Sequence, residues 1–160
     1  LPGFSLESLT VSESGAYTLA GSGTAATLIQ YALALGAVTV SEVDGVALST
    51  PVALPHATVS GGDNLSLGID VATAWSLGLT YDIDAALTAA SVPFVSGATK
   101  REVVVDNFLV AIREPTSLAS VSKFDFMLDV ETRPFIPEPT SLALLAGLGL
   151  GLCSVSRRRS

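Results

Sequence analysis

At 160 residues the chain is long enough for one domain with a real core and short for two. Hydrophobic residues make up 49% of it and charged residues only 14%, against ~25% charged in an ordinary soluble domain, so Ser, Thr, Gly and Ala must cover much of the surface. The formal charge is −7; residues 137–160 hold three of the eight bases and one of the fifteen acids, and without them five bases face fourteen acids, a net −9. That sign excludes DNA or RNA as a partner, because binding phosphates requires a basic footprint that releases counterions.

The first residues, Leu1-Pro2-Gly3-Phe4, show neither an initiator Met nor a basic stretch followed by an apolar one. The expectation is a mature or truncated form of an exported protein whose export signal is not part of this sequence. Going along the chain, period-two alternation dominates. Ala16–Leu19 reads as a short strand. Ala25–Leu35 fits both a helical stripe, through Leu28, Tyr31, Ala32 and Leu35, and a strand; the glycines that bracket it, Gly21, Gly23 and Gly36, favour the strand. Val38–Val43 is a further strand, and Asp44-Gly45 a turn.

Turns are also predicted at Pro51–His56 and at Gly61-Gly62-Asp63-Asn64. Leu65, Leu67, Ile69 and Val71 then alternate with polar or small residues, as do Trp75, Leu77, Leu79, Tyr81 and Ile83, so two strands are predicted around Ala72–Ala74. After a turn at Ser96-Gly97, Val103–Ile112 is a β-branched run interrupted by Asp106-Asn107. The Arg113–Ser117 turn folds it back on a strand in which Phe124, Phe126, Leu128 and Val130 share one face and Asp125, Asp129 and Glu131 the other. Six to eight antiparallel strands imply an all-β domain over residues 1–132, built as an antiparallel β-sandwich or jelly roll.

Catalytic chemistry finds little purchase. His56 is the only histidine and lies in a predicted loop, where it reads as solvated. Asp82 and Asp84 on one strand face would sit ~7 Å apart, a separation that suits glycoside hydrolysis, but a solvated outer face explains both acids more simply. With Asp63 or Asp70 they could also supply oxygen ligands to calcium, although no EF-hand or nonapeptide repeat is present. Trp75, Tyr17, Tyr31 and Tyr81 are the aromatics available to stack on a sugar; the phase that Trp75 and Tyr81 share with Leu77 and Leu79 favours core packing. The expectation is a protein that is not an enzyme, with no catalytic residue, metal site or cofactor.

The C-terminal residues have an order of their own. Residues 133–140 form a Pro-rich linker in which Pro137 and Pro139 disfavour helix, so a helix can begin only beyond Pro139. Leu142–Val155 carries no charge, and as a helix it would be ~21 Å long against a hydrocarbon core of ~30 Å. The alternation of Gly147, Gly149 and Gly151 lowers helix propensity further. Arg157, Arg158 and Arg159 then stop the run and, by the positive-inside rule, hold the extreme C-terminus on the cytoplasmic side. Cys153, the single cysteine, lies in the apolar run, so no intrachain disulfide can form.

Pro137-Glu138-Pro139, then a Gly- and Leu-rich hydrophobic stretch, then Arg157–Arg159, resembles the PEP-CTERM sorting signal over about 24 residues. The resemblance implies a single short C-terminal hydrophobic helix within residues 141–160, transiently in the membrane. It also implies recognition by an intramembrane exosortase, cleavage near the triplet, and delivery to the surface of a Gram-negative cell that makes exopolysaccharide. The loose likeness of Val103–Asn107 and the Lys-Phe-Asp-Phe strand to the closing hairpin of such cargo domains carries no activity with it. Two roles follow as expectations: a structural, exopolysaccharide-associated component of the cell surface, or a carbohydrate-binding module. Glu114-Pro115-Thr116-Ser117-Leu118-Ala119 repeats the letters of Glu138–Ala143, but the charges that follow it from Lys123 to Glu131 exclude a second membrane signal, and it reads as a turn.

Overall fold

The computed structural model describes residues 3–67 and 70–134, and the sorting-motif residues Pro137, Glu138, Pro139 and Arg157–Arg159 lie outside them. Seven strands, β1 (Phe4–Gly21), β2 (Leu28–Val43), β3 (Val46–Leu54), β4 (Ala57–Asn64), β5 (Thr73–Asp82), β6 (Ala98–Ile112) and β7 (Ser117–Pro134), are joined in one hydrogen-bonded, antiparallel sheet. A 3-10 turn, Leu65–Leu67, and a helix, α1 (Ile83–Ala89), interrupt them. No helix of the described residues is long and apolar enough to cross a membrane.

Two strands organise the sheet. β1 lies between β5 and β7, and β2 between β6 on one edge and β3 and β4, laid end to end, on the other. Within the sheet β1 and β6 meet at a single pair, Leu6 with Ala98. The two ladders nevertheless share one core, in which Leu9, Val11 and Leu19 of β1 are buried with Ile29, Leu33, Leu35, Val38 and Val40 of β2. The period-two pattern of these strands is what places alternate side chains there.

β2 shows why one strand reads as two in the sequence. Residues 29, 33 and 35 point inward, then 38 and 40, and the register against β6 shifts between Leu35 and Ala37. An extra residue at a β-bulge switches the face on which the apolar residues fall, so Gly36 is a bulge within a strand. Pro51 is likewise inside β3, at a register shift between Val40 and Glu42 of β2 where edge pairing is already broken. Asp44 and Gly45, with φ of 52° and 75°, form the tight β2–β3 turn that Asp-Gly favours.

Three local expectations are corrected. Gly61-Gly62-Asp63-Asn64 is the end of β4, paired with Leu28–Tyr31, because β2 offers it a free edge. Leu65–Leu67 is a 3-10 turn and Val71 is 71% exposed; the alternation there has no neighbouring strand to pair with among the described residues. Asp82 and Asp84 do not share a strand face, since Asp82 ends β5 and caps α1, accepting from the Ala85 N–H at 2.8 Å. Ile83 and Leu87, four residues apart, bury one face of that helix.

Candidate functional site

A concavity of about 600 Å³ lies where β2, β4 and β6 run side by side, with Gln30, Tyr31, Asp63, Asn64 and Phe108 among its walls. Small residues open it. A Cβ at Gly61 would stand 2.5 Å from the Tyr31 ring, and one at Gly62 2.6 Å from the Ile29 carbonyl oxygen. On the far wall Phe108, paired across the ladder with Ala32, is 56% exposed.

Behind the groove three aromatics stack. Tyr31 lies 4.6 Å from Trp75 at 19° and 6.5 Å from Tyr17 at 27°, centroid to centroid. Trp75 and Tyr17 are buried, and the Trp75 indole N–H donates to the Ser122 carbonyl at 3.1 Å. The Tyr17 hydroxyl donates to Asp63. Burial, with the hydrogen bond and negative charge of Asp63 behind it, pushes the Tyr17 phenol up to about 12. Tyr81 is buried too and donates to the Pro55 carbonyl at 2.7 Å. Of these aromatics only Tyr31 is both half-buried and part of the groove wall; the others build the core.

The carboxylates considered for catalysis or calcium are mostly committed to the protein itself. Asp63 serves Tyr17, Asp82 caps α1, and Asp84 pairs with Arg133 at 2.5 Å. Among the described residues no cluster of three or more His, Cys, Asp or Glu could hold a metal ion. His56 sits between β3 and β4, exposed.

Arg133, assigned to the linker by sequence, is paired with Ser5 in the sheet. Its guanidinium donates to the Ser96 carbonyl at 2.7 and 2.9 Å as well as to Asp84. Ser96 belongs to a second clamp, in which the Asp44 carboxylate accepts from the N–H groups of Val95, Ser96 and Gly97 at 2.8, 2.6 and 2.9 Å. Burial alone would raise the Asp44 carboxyl, but those three N–H groups and the Arg133 charge hold it below its usual value. The β2–β3 turn, the loop before β6 and the last residues of β7 are thereby tied together.

At the opposite end the Glu114-Pro115-Thr116-Ser117 echo is, as read, a turn between two strands. Glu114 accepts from the Thr24 N–H at 2.6 Å and the Thr27 hydroxyl at 2.9 Å, which holds its carboxyl below the usual range. Thr27 and Ser117, both buried, share a hydrogen bond of 2.6 Å. Sequence reasoning did not assign these roles to Glu114 and Asp44 because their partners lie about 90 and about 50 residues away. No protein-family model, curated protein or solved structure matches the chain.

Proposed function

We propose that the chain is an exported surface protein whose C-terminal segment is a sorting signal of the PEP-CTERM kind, read and cut by an intramembrane exosortase. Its β domain has a structural role at the cell surface and in the surrounding exopolysaccharide, and no catalytic role. One observation carries the reading: Pro137-Glu138-Pro139, an uncharged run of 14 residues and three arginines follow in that order, directly after a strand that ends at Pro134. The Arg133 contacts fit a folded domain before that stretch, since they fix the last residues of β7 to the loop before β6.

We read the sheet as a jelly-roll-like sandwich, with β3, β4, β2 and β6 in one layer and β5, β1 and β7 in the other. The single Leu6–Ala98 pair between the ladders and the stacking of Tyr31 on Trp75 and Tyr17 support it. The sorting reading is tested by intact mass and fractionation from cells with and without the exosortase. Loss of the residues beyond the triplet only where the enzyme is present is the expected result; an uncut tail in both strains overturns it.

The groove favours a second reading, a carbohydrate-binding module, because Tyr31 and the exposed Phe108 are accompanied there by Gln30, Asp63 and Asn64. Titration with the cell's own polysaccharide, followed by NMR on Phe108→Ala, separates the two. Saturable binding lost in that variant selects the binding module, and no binding at millimolar sugar selects the structural role.

A further inference from the structure

β7 has one bonded edge and one open one. Among the described residues it is hydrogen-bonded to β1 alone, from Ser117 to Pro134. Phe126, Leu128 and Val130 stand opposite Glu13, Val11 and Leu9, which are all buried, and so share the core-facing side of the sheet. They nevertheless remain 44%, 44% and 40% exposed. The backbone shows the same lack of cover: the N–H groups of Phe126 and Val130 are taken up by the neighbouring carboxylates of Asp125 and Asp129, both at 2.9 Å, and not by a strand. Contiguous apolar side chains beside an open strand edge are the features that accept a further strand.

We infer that the occupant of this edge is a second copy of the chain, its β7 laid antiparallel along the first about a two-fold axis at Phe126. The charges of the strand select both the partner and the register. A two-fold axis makes one surface complementary to itself, and the pleat requires like faces to meet, so every such axis passes through a residue set opposite its own copy. An axis at Asp125, Asp129 or Glu131 sets that acid on itself. An axis at Met127 sets Asp125 on Asp129, one at Leu128 sets Asp125 on Glu131, and one at Val130 sets Asp129 on Glu131. Like charges directly opposite are destabilising. Of the residues from Asp125 to Glu131, only Phe126 escapes this.

With the axis there, Asp125 stands opposite Met127, Glu131 opposite Val121, and Asp129 level with Lys123 of the other copy. No acid meets an acid, and one of them meets a base. The apolar residues match in the same register, Phe126 with Phe126 and Phe124 with Leu128, so the exposed side chains of each copy cover those of the other. The Phe126 N–H then donates to a carbonyl of the second strand, and the Asp125 carboxylate is released to water. The register shift of β7 against β1 falls at Phe124, which confines the regular part of the shared ladder to Phe124–Leu128. So short a contact makes a dimer that forms and parts readily. The inference concerns the folded sheet and is independent of the sorting reading.

A series of single cysteines reads the register. In the full chain carrying Cys153→Ser, one cysteine is introduced by Phe126→Cys, Met127→Cys or Leu128→Cys. An axis at 126 sets that position opposite itself at the ~5.5 Å Cα separation of a hydrogen-bonded antiparallel pair, which a disulfide spans. Positions 127 and 128 are displaced from their own copies by ~7 Å or more along the strand. Mild oxidation is expected to link Phe126→Cys chains in pairs at least ~10-fold faster than either of the others. Equal rates at the three positions, or the fastest linkage at 127 or 128, overturn the inference. Hydrogen exchange in the native full chain provides a second measurement that leaves Phe126 in place: its amide and that of Leu128 are expected to exchange at least ~10-fold more slowly at ~500 μM chain than at ~5 μM. Exchange that does not depend on concentration overturns it as well.

Discussion

β5 and β7 flank the same strand, β1, and carry the same alternating pattern, but they end in opposite environments. On β5, Trp75, Leu77 and Tyr81 are 4%, 9% and 7% exposed, because β2 and its aromatic Tyr31 lie across from them. On β7, Phe126, Leu128 and Val130 face the same way and keep 40% or more of their surface. Alternation decides which face a side chain takes; what covers that face is decided by strands from elsewhere in the chain. The free energy of burial should be concentrated accordingly, and variants on the two flanks of β1 test that.

The largest loss is expected at the centre of the β5 flank. Trp75→Ala removes a buried ring, its stacking on Tyr31 and its hydrogen bond to Ser122, and should lower stability by ~3–5 kcal/mol in urea unfolding. A cost below ~1 kcal/mol would erase the contrast between the flanks. Gly15→Ala comes next. Its Cβ would lie 2.0 Å from the Ser122 carbonyl oxygen and 2.6 Å from the Trp75 ring, a clash with backbone that cannot swing away. Overpacking of this kind costs ~1–3 kcal/mol, read as a lower urea midpoint with an unchanged slope.

How far the sequence led is visible in the same residues. The strand phase of Trp75–Tyr81 and of Phe126–Val130, the Asp44-Gly45 turn and the assignment of Trp75 and Tyr81 to the core all follow from local pattern. Gly36 misleads, since a bulge and a turn look alike until the partner strand is known. Gly61-Gly62 misleads in the same way, because only Tyr31 and Ile29 of β2 explain why glycine is needed inside a strand. The groove was not legible at all. Phe108 belongs to β6, and its approach to Gln30 and Asn64 depends on pairings across about 80 residues. The exposure of β7 was missed because a period-two pattern contains no record of whether a second layer reaches that far.

Titration should sharpen the comparison by a smaller amount. The Tyr17 phenol is raised to about 12 in the folded chain, above the ~10 of an unfolded tyrosine. Its contribution is therefore complete below pH ~10 and is lost as pH rises through 12, since the unfolded state releases the proton first. Melting temperature should fall over that window in the native chain and less steeply in Tyr17→Phe. Asp44 has the opposite sign. Its carboxyl is lowered, so its contribution is present above the unfolded value near ~4 and is lost as pH falls through the folded one. Asp44→Asn should melt lower at neutral pH and lose less on acidification, whereas parallel melting curves would mean that the clamp around Ser96 does not depend on the charge.

The smallest effect is expected on the outward side of β7. Met127 is 58% exposed and stands opposite Ser12 of β1, on the face away from Phe126 and Leu128, where neither ladder places a neighbour over it among the described residues. Threonine is at least as good a strand former as methionine, and the hydroxyl would meet water. Met127→Thr should therefore move stability by no more than ~0.5 kcal/mol in either direction, while Leu77→Ala, on the covered flank, should cost ~2–5 kcal/mol. Measured together by urea unfolding, the pair isolates cover from pattern, because both residues lie in strands bound to β1. A loss at Met127 approaching that at Leu77 would mean that the outer face of β7 is also covered in solution, and the division between a closed flank and an open one would have to be redrawn.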